Sequence, residues 1–153
     1  MQMPRPSPEQ QALSIMAGDW LGKEQVQPSP FDIAGGTAIG HVHNCLGLDG
    51  FIIVHDYVQE RNGKVSLCAH AIVQWDTLAK QAVMYWFDSF GMPPTTFRGM
   101  LKDNILTLIT PQGTGFSRIT YDFSKPGSYT YRMEVSIDGT EWYPFTSGDY
   151  TRQ

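Results

Sequence analysis

His41-x-His43 sets two imidazoles on one side of any extended stretch, because residues two apart in a strand share a face. Two such rings with a carboxylate beside them suit Zn²⁺ or a similar ion, a proton shuttle, or a clamp on the polar end of an organic ligand. The carboxylate within reach is Asp56, and the turns place it. Asn62-Gly63 lies between two runs rich in β-branched and aromatic residues and signals a type I′ hairpin over residues 51–75. Read as a two-residue turn, it opposes Arg61 to Lys64, Glu60 to Val65, Val58 to Leu67, Asp56 to Ala69, Val54 to Ala71 and Ile52 to Val73. Tyr57 then meets Cys68 and His55 meets His70 on the opposite face. Asp49-Gly50, read the same way, sets His43 against Asp56 and His41 against Val58. The connection at residues 77–80 sets Ala71 against Trp86 and Ala69 against Asp88. One surface therefore collects His41, His43, Asp56, Trp86 and Asp88 among small and branched apolar residues. Large Trp86 against small Ala71 is the complementarity of a filled interior, so this surface is expected to face inward. Tyr131, with Tyr121, offers a hydroxyl to a ligand's polar head. Turned the other way, the same hairpin would present His55, His70, Tyr57 and Asn44 as the pocket.

The elements that must hold these residues are strands. The 153 residues suit one domain, expected over residues 7–153 behind a loose tail at 1–6. With only 17% charged residues, 12% aromatics, and 15 Gly and 10 Pro scattered along the chain, the composition favours an all-β fold with many turns. Ser7-Pro8-Glu9-Gln10 reads as a helix start, Ser as N-cap and Pro at the first helical position. Leu13, Ile15, Met16 and Ala17 supply an apolar side before Gly18 ends it. A helix this short needs something to pack on, and closing one end of a barrel is its natural use.

Beyond Asp19 the pattern gives strands near residues 20–27, 37–48, both arms of the 51–75 hairpin, 81–90, 97–102, 105–110, 114–123, 129–137 and 141–152. Gly91-Met92-Pro93-Pro94 and Ser124-Lys125-Pro126-Gly127 break them, and Asp138-Gly139 marks another hairpin. There Tyr131, Met133, Val135 and Ile137 are expected to share a face with Trp142, while Arg98 is expected outside. About ten strands at hairpin spacing, with no crossover helices, predict an antiparallel up-and-down β-barrel with one short N-terminal helix. A two-sheet sandwich is the alternative; a doubly wound α/β fold is excluded.

The net charge of −4 is spread without basic clusters, so neither nucleic acid nor an anionic membrane is an expected partner. No run approaches a membrane span, and MQMPRPSPEQQ has no apolar stretch of a secretion signal, so the expected location is the cytoplasm. Cys45 and Cys68 lack CxxC spacing and read as reduced, small hydrophobes. There is no G-x-S-x-G and no cysteine signature of a nucleophile. No cofactor is assigned.

The words Leu13-x-x-Met16-x-Gly18-x-Trp20-x-Gly22, Ser29-Pro30-Phe31-Asp32, Leu48-Asp49-Gly50-Phe51, Asp56-Tyr57-x-Gln59-Glu60-Arg61 and Trp86-Phe87-Asp88-Ser89-x-Gly91 together resemble a bacterial calycin-like family of unknown function. The resemblance runs from about residue 8 to the end of the chain. Gly18-x-Trp20-x-Gly22 is also similar to the first strand of lipocalins, fatty-acid-binding proteins and haem-binding nitrobindins. The resemblance implies a lipocalin-like, ligand-holding barrel without supplying an activity.

The expectation is a barrel that binds a small, mainly apolar or aromatic ligand, contacted by His41, His43, Asp56, Trp86, Asp88 and Tyr131. The alternative is an enzyme in which His43 with Asp56 serves as general base or in a metal-assisted site. Haem binding after the nitrobindin pattern is a third reading. That pattern needs an axial histidine late in the chain, whereas all four histidines lie between 41 and 70. A purely structural or partner-binding role would leave the interior packed. No oligomeric state follows from the sequence.

Overall fold

Ser7 caps the helix α1 (Pro8–Ala12) as its residue type demands, its Oγ accepting from the Gln10 N–H at 3.2 Å. A 3₁₀ turn over Leu13–Met16 continues it. In this computed structural model, which describes residues 1–30, 32–112 and 114–153, everything after Ala17 is strand and turn. Phe31, part of one of the family words and of the loop before the second strand, lies outside the described residues.

Ten strands follow in order: β1 (Gly18–Val26), β2 (Gly36–Gly47), β3 (Ile52–Arg61), β4 (Lys64–Asp76), β5 (Gln81–Asp88), β6 (Thr95–Lys102), β7 (Ile105–Gln112), β8 (Gly115–Asp122), β9 (Ser128–Ser136) and β10 (Tyr143–Arg152). Each pairs antiparallel with its chain neighbours, and β1 pairs with β10, so the sheet closes and leaves no free edge. The barrel, rather than the sandwich, is what the chain forms. Asn62-Gly63 makes the expected tight turn and Asp103-Asn104 makes another, both residues of each pair at positive φ. At Asp138-Gly139 the turn is wider: β9 ends at Ser136, β10 begins at Tyr143, and the Asp138 carboxylate accepts from the N–H groups of Thr140 and Glu141. Trp142 consequently sits under the guanidinium of Arg118, 4.1 Å from its ring centre, instead of joining the face of Tyr131.

The 3₁₀ turn plugs one end of the barrel. Leu13 and Met16 are fully buried, and the Met16 carbonyl accepts from both Trp20 Nε1 (3.0 Å) and Asn44 Nδ2 (2.8 Å). Trp20 stands edge-on to Tyr129, with ring centres 4.9 Å apart, and begins an aromatic column with Phe123 and Tyr121. Among the described residues no helix is long and apolar enough to cross a membrane.

One irregularity decides which residues the barrel encloses. Glu60 pairs with Val65 as the turn predicts, but Gln59 pairs with Leu67, so Ser66 is an extra residue in β4. From there the register differs by one from the expected ladder: Asp56 meets His70, His55 meets Ala71 and Tyr57 meets Ala69. The β2–β3 and β4–β5 registers are those expected, with His43 opposite Asp56 and Trp86 opposite Ala71. The wall of Ala69, Ala71, Val73, Met84 and Trp86 does face inward. The bulge joins it to Ile53, His55 and Tyr57, and turns Asp56, His41 and His43 to the outside.

Candidate functional site

Inward positions along β1 are Trp20, Gly22, Glu24 and Val26, so the strand delivers one carboxylate to the middle of the lumen. Glu24 is 3% exposed and has three polar partners from two strands. Tyr57 of β3 donates its hydroxyl to both carboxylate oxygens (3.0 and 2.8 Å), Gln59 donates Nε2 to Oε2 (2.8 Å), and Tyr150 of β10 donates its hydroxyl to Oε1. Burial, reinforced by the neighbouring negative charge of Glu24, pushes the Tyr57 and Tyr150 phenols far above their ordinary value, so both remain neutral donors. Tyr150 reaches the carboxylate because Gly22 and Gly40 face it. A Cβ at position 22 would run into its ring, and one at position 40 into its hydroxyl while lying 2.7 Å from Glu24 Oε1.

His55, also 3% exposed, comes from the next inward position of β3. Its Nδ1 is 2.7 Å from Asn44 Oδ1, and Asn44 spends its amide hydrogens on the Met16 carbonyl. The Asn44 oxygen can only accept, so Nδ1 carries the hydrogen and Nε2 is left as a lone-pair acceptor. Burial lowers the ring's pKa to about 4, against a weaker opposing effect of Asp56, so the imidazole is neutral near pH 7.

Between these polar groups lies a cavity walled by Val42, Tyr57, Trp86, Tyr121, Tyr129, Tyr131 and Tyr150 together with Glu24 and His55. Trp86 lies 6.0 Å from the His55 ring and 6.4 Å from Tyr57, and Tyr129 stacks on Tyr150 with ring centres 4.7 Å apart and planes 3° from parallel. Counted out to where it opens, the space between the side chains is about 250 Å³, but only about 20 Å³ is wide enough for the centre of a water molecule. Two of the lining groups, Glu24 and Tyr131, also border a trough of about 430 Å³ along β1, β9 and β10, rimmed by Lys23, Arg132 and Asp149.

Of the expected contacts, Trp86 and Tyr131 line this cavity. Asp88 is half-buried at the end of the same inward row, accepting from Trp86 Nε1 (2.9 Å) and the Phe90 N–H (3.0 Å). The remaining three lie on the convex surface, a correction that follows from the bulge at Ser66. His41 is 3.2 Å from Glu60, His43 bonds Asp19, and Asp56 is 2.6 Å from His70, all exposed to solvent. The two histidines therefore turn to separate acids. Among the described residues no group of three His, Cys, Asp or Glu side chains is arranged to hold a metal ion, and His41, His43 and Asp56 do not come together as one set. The hydrogen bond to Asp19, seconded by its charge, raises the pKa of His43.

Sequence reasoning passed over Glu24, Gln59 and Tyr150. Their signal was present in the alternation of β1, where Trp20 and Glu24 share a face. It was present too in Gly22, Gly40 and Gly148, which lie on the inward rows around Tyr150.

Residues 5–152 match the family described as "Protein of unknown function (DUF1579)". The chain belongs to that family. Among solved structures, the DUF1579 chain is similar to that of Rv2717c from M. tuberculosis, with a TM-score of 0.73 and 13% identity over 97% of this chain and 99% of that one. It is also similar to the S-type phycobiliprotein lyase CPES from Guillardia theta, with a TM-score of 0.57 and 9% identity over 97% and 98% of the two chains. At those identities the likeness is one of fold, a complete barrel in each case. No curated protein matches the DUF1579 chain.

Proposed function

We propose that this protein is a small-molecule binding module whose ligand enters the barrel from the β1–β9–β10 trough. It lies between Trp86 and the tyrosine rings, with its polar end at Glu24 and His55. The observation that carries the reading is the convergence of a buried carboxylate and a buried neutral imidazole on one aromatic cavity. Small-ligand sites are built from apolar walls with a few aimed polar groups, and barrel interiors are a common place for them. The barrels of similar fold, one of them described as a phycobiliprotein lyase, support the reading at the level of architecture.

The space within the cavity also says something about the ligand. Drug-sized sites occupy roughly 300–1,000 Å³, whereas the interior as it stands has about 20 Å³ open to the centre of a water molecule, so even a small head group needs the half-buried rings of Trp86 and Tyr131 to move aside. Native mass spectrometry of freshly purified protein, followed by Trp fluorescence on addition of the extracted small molecules, tests the proposal. Expected are an adduct released on denaturation and a fluorescence change that Trp86→Leu removes. A chain that carries nothing, and whose fluorescence is unmoved by cell extract, would leave the interior as packing alone.

A further inference from the structure

Glu24 is a negative charge in a lumen with no positive one. Neither Lys nor Arg lines the cavity, and among the described residues no cationic side chain reaches Glu24 within ion-pair distance. Its neighbour His55 stays neutral near pH 7 for lack of hydration, so it supplies no counter-charge either. An isolated buried carboxylate is costly, and here only neutral hydrogen bonds offset that cost.

Those bonds also fill most of the carboxylate, with three hydrogens, the one of Tyr57 shared between both oxygens. A carboxylate has about four lone-pair directions. Tyr57 contacts both oxygens, Tyr150 takes Oε1 and Gln59 takes Oε2. A primary ammonium has three N–H groups to satisfy and would have to share the lone pair left on Glu24, His55 Nε2 and the weaker-accepting phenol oxygens of the wall. A methylated ammonium has charge to neutralise and no hydrogens to place. The walls suit that group as well, because the faces of Trp and Tyr attract cations, above all quaternary ammonium heads held among several rings. Six of the nine lining residues are tyrosine or tryptophan. The Lys23 and Arg132 side chains at the trough are exposed and offset in part by Asp149, so solvent and salt screen them from the lumen.

Resting on the reading of the lumen as a ligand site, we infer that the cavity takes a methylated ammonium head, caged by Trp86, Tyr57, Tyr121 and Tyr131 and neutralised by Glu24. His55 Nε2 is then free to accept a hydrogen bond from a hydroxyl on the same ligand.

The test is calorimetric titration of the full chain with choline, with 3,3-dimethyl-1-butanol, which has the same shape without the charge, and with ethanolamine, which keeps the charge as a primary ammonium. Expected is choline binding at least ~10-fold tighter than either. Glu24→Gln, checked for native circular dichroism, should bring choline down to the level of the butanol. Trp86→Leu supplies a second readout should Glu24→Gln not fold, and it should cost choline ~5-fold or more in affinity. If the butanol binds as tightly as choline, the cation preference is overturned while the ligand site stands. If ethanolamine binds tightest, the methylated head is overturned in favour of a hydrogen-bonded amine. If none of the three binds and no adduct is retained on purification, both the inference and the site fall.

Discussion

His55 is where burial and proton binding meet most directly. Its folded pKa of about 4 lies below the ordinary histidine value of 6.5, so the unfolded chain binds a proton that the folded one refuses. The stabilising contribution is therefore complete above pH 6.5 and is lost as pH falls from there towards 4. Between pH 7.5 and 5 the linkage amounts to about 2 kcal/mol, so urea unfolding should show that much less stability at the lower pH. His55→Gln should flatten most of the difference, and an unchanged slope would mean that the ring is not buried as described. His43 runs the other way. Asp19 raises its pKa, so its pairing stabilises the fold at pH below about 6.5 and fades as pH rises through the raised value. Asp19→Asn should lower the melting temperature at pH 6 and leave it unaltered at pH 9.5. The pair is fully exposed, so the effect will be small and will shrink further in salt.

At the scale of the element, Ser66 carries more than its size suggests. As the extra residue of β4 it sets which face of β3 joins the inner wall, and its hydroxyl donates to Gln59 Oε1 at 2.9 Å, which aims the Gln59 amide at Glu24. Ser66→Ala should keep the bulge and release Gln59, costing about 1 kcal/mol in urea unfolding. Deleting Ser66 should leave the chain insoluble, since either Ala69, Ala71 and Val73 or Ile53, His55 and Tyr57 would then face water. A soluble, cooperatively folding deletion would show that the hairpin can choose its face without the bulge. The same residue marks the limit of what the sequence discloses. Turn chemistry gave the β2–β3 and β4–β5 ladders correctly, because Asp49-Gly50 and the 77–80 connection fix their registers. Ser66 is an ordinary strand residue with no mark of insertion. β3 is apolar on both sides, Ile52, Val54 and Val58 against Ile53 and Tyr57, so its pattern chose neither face. The strands, the closure and the plugging helix were readable from local signals, whereas the lumen's chemistry hung on one unpaired residue.

Over the whole molecule, the chain ends complete the site. Glu24 comes from the first strand, Tyr57 from the third and Tyr150 from the last, so the set of hydrogen bonds at the centre is complete only once β1 has met β10. Arg152 locks the same seam, donating to the Ala17 carbonyl at 2.9 Å and lying over the Trp20 ring at 4.3 Å. Closing a barrel whose first and last strands pair is a long-range step, and such topologies fold slowly, in milliseconds to seconds. Tyr150→Phe keeps the ring in the hollow above Gly22 and Gly40 but leaves Glu24 short of one donor, and hydrogen bonds to charged groups are worth about 1.5–3 kcal/mol. We expect a loss of that order in urea unfolding, with Trp fluorescence and far-ultraviolet circular dichroism still giving coincident transitions, since a closed sheet has no edge from which to fray strand by strand. Transitions that separate in the variant, with Trp20 reporting early loss at the β1–β10 seam, would mean that the lumen's hydrogen bonds hold the barrel shut, and that the site and the closure are one cooperative unit.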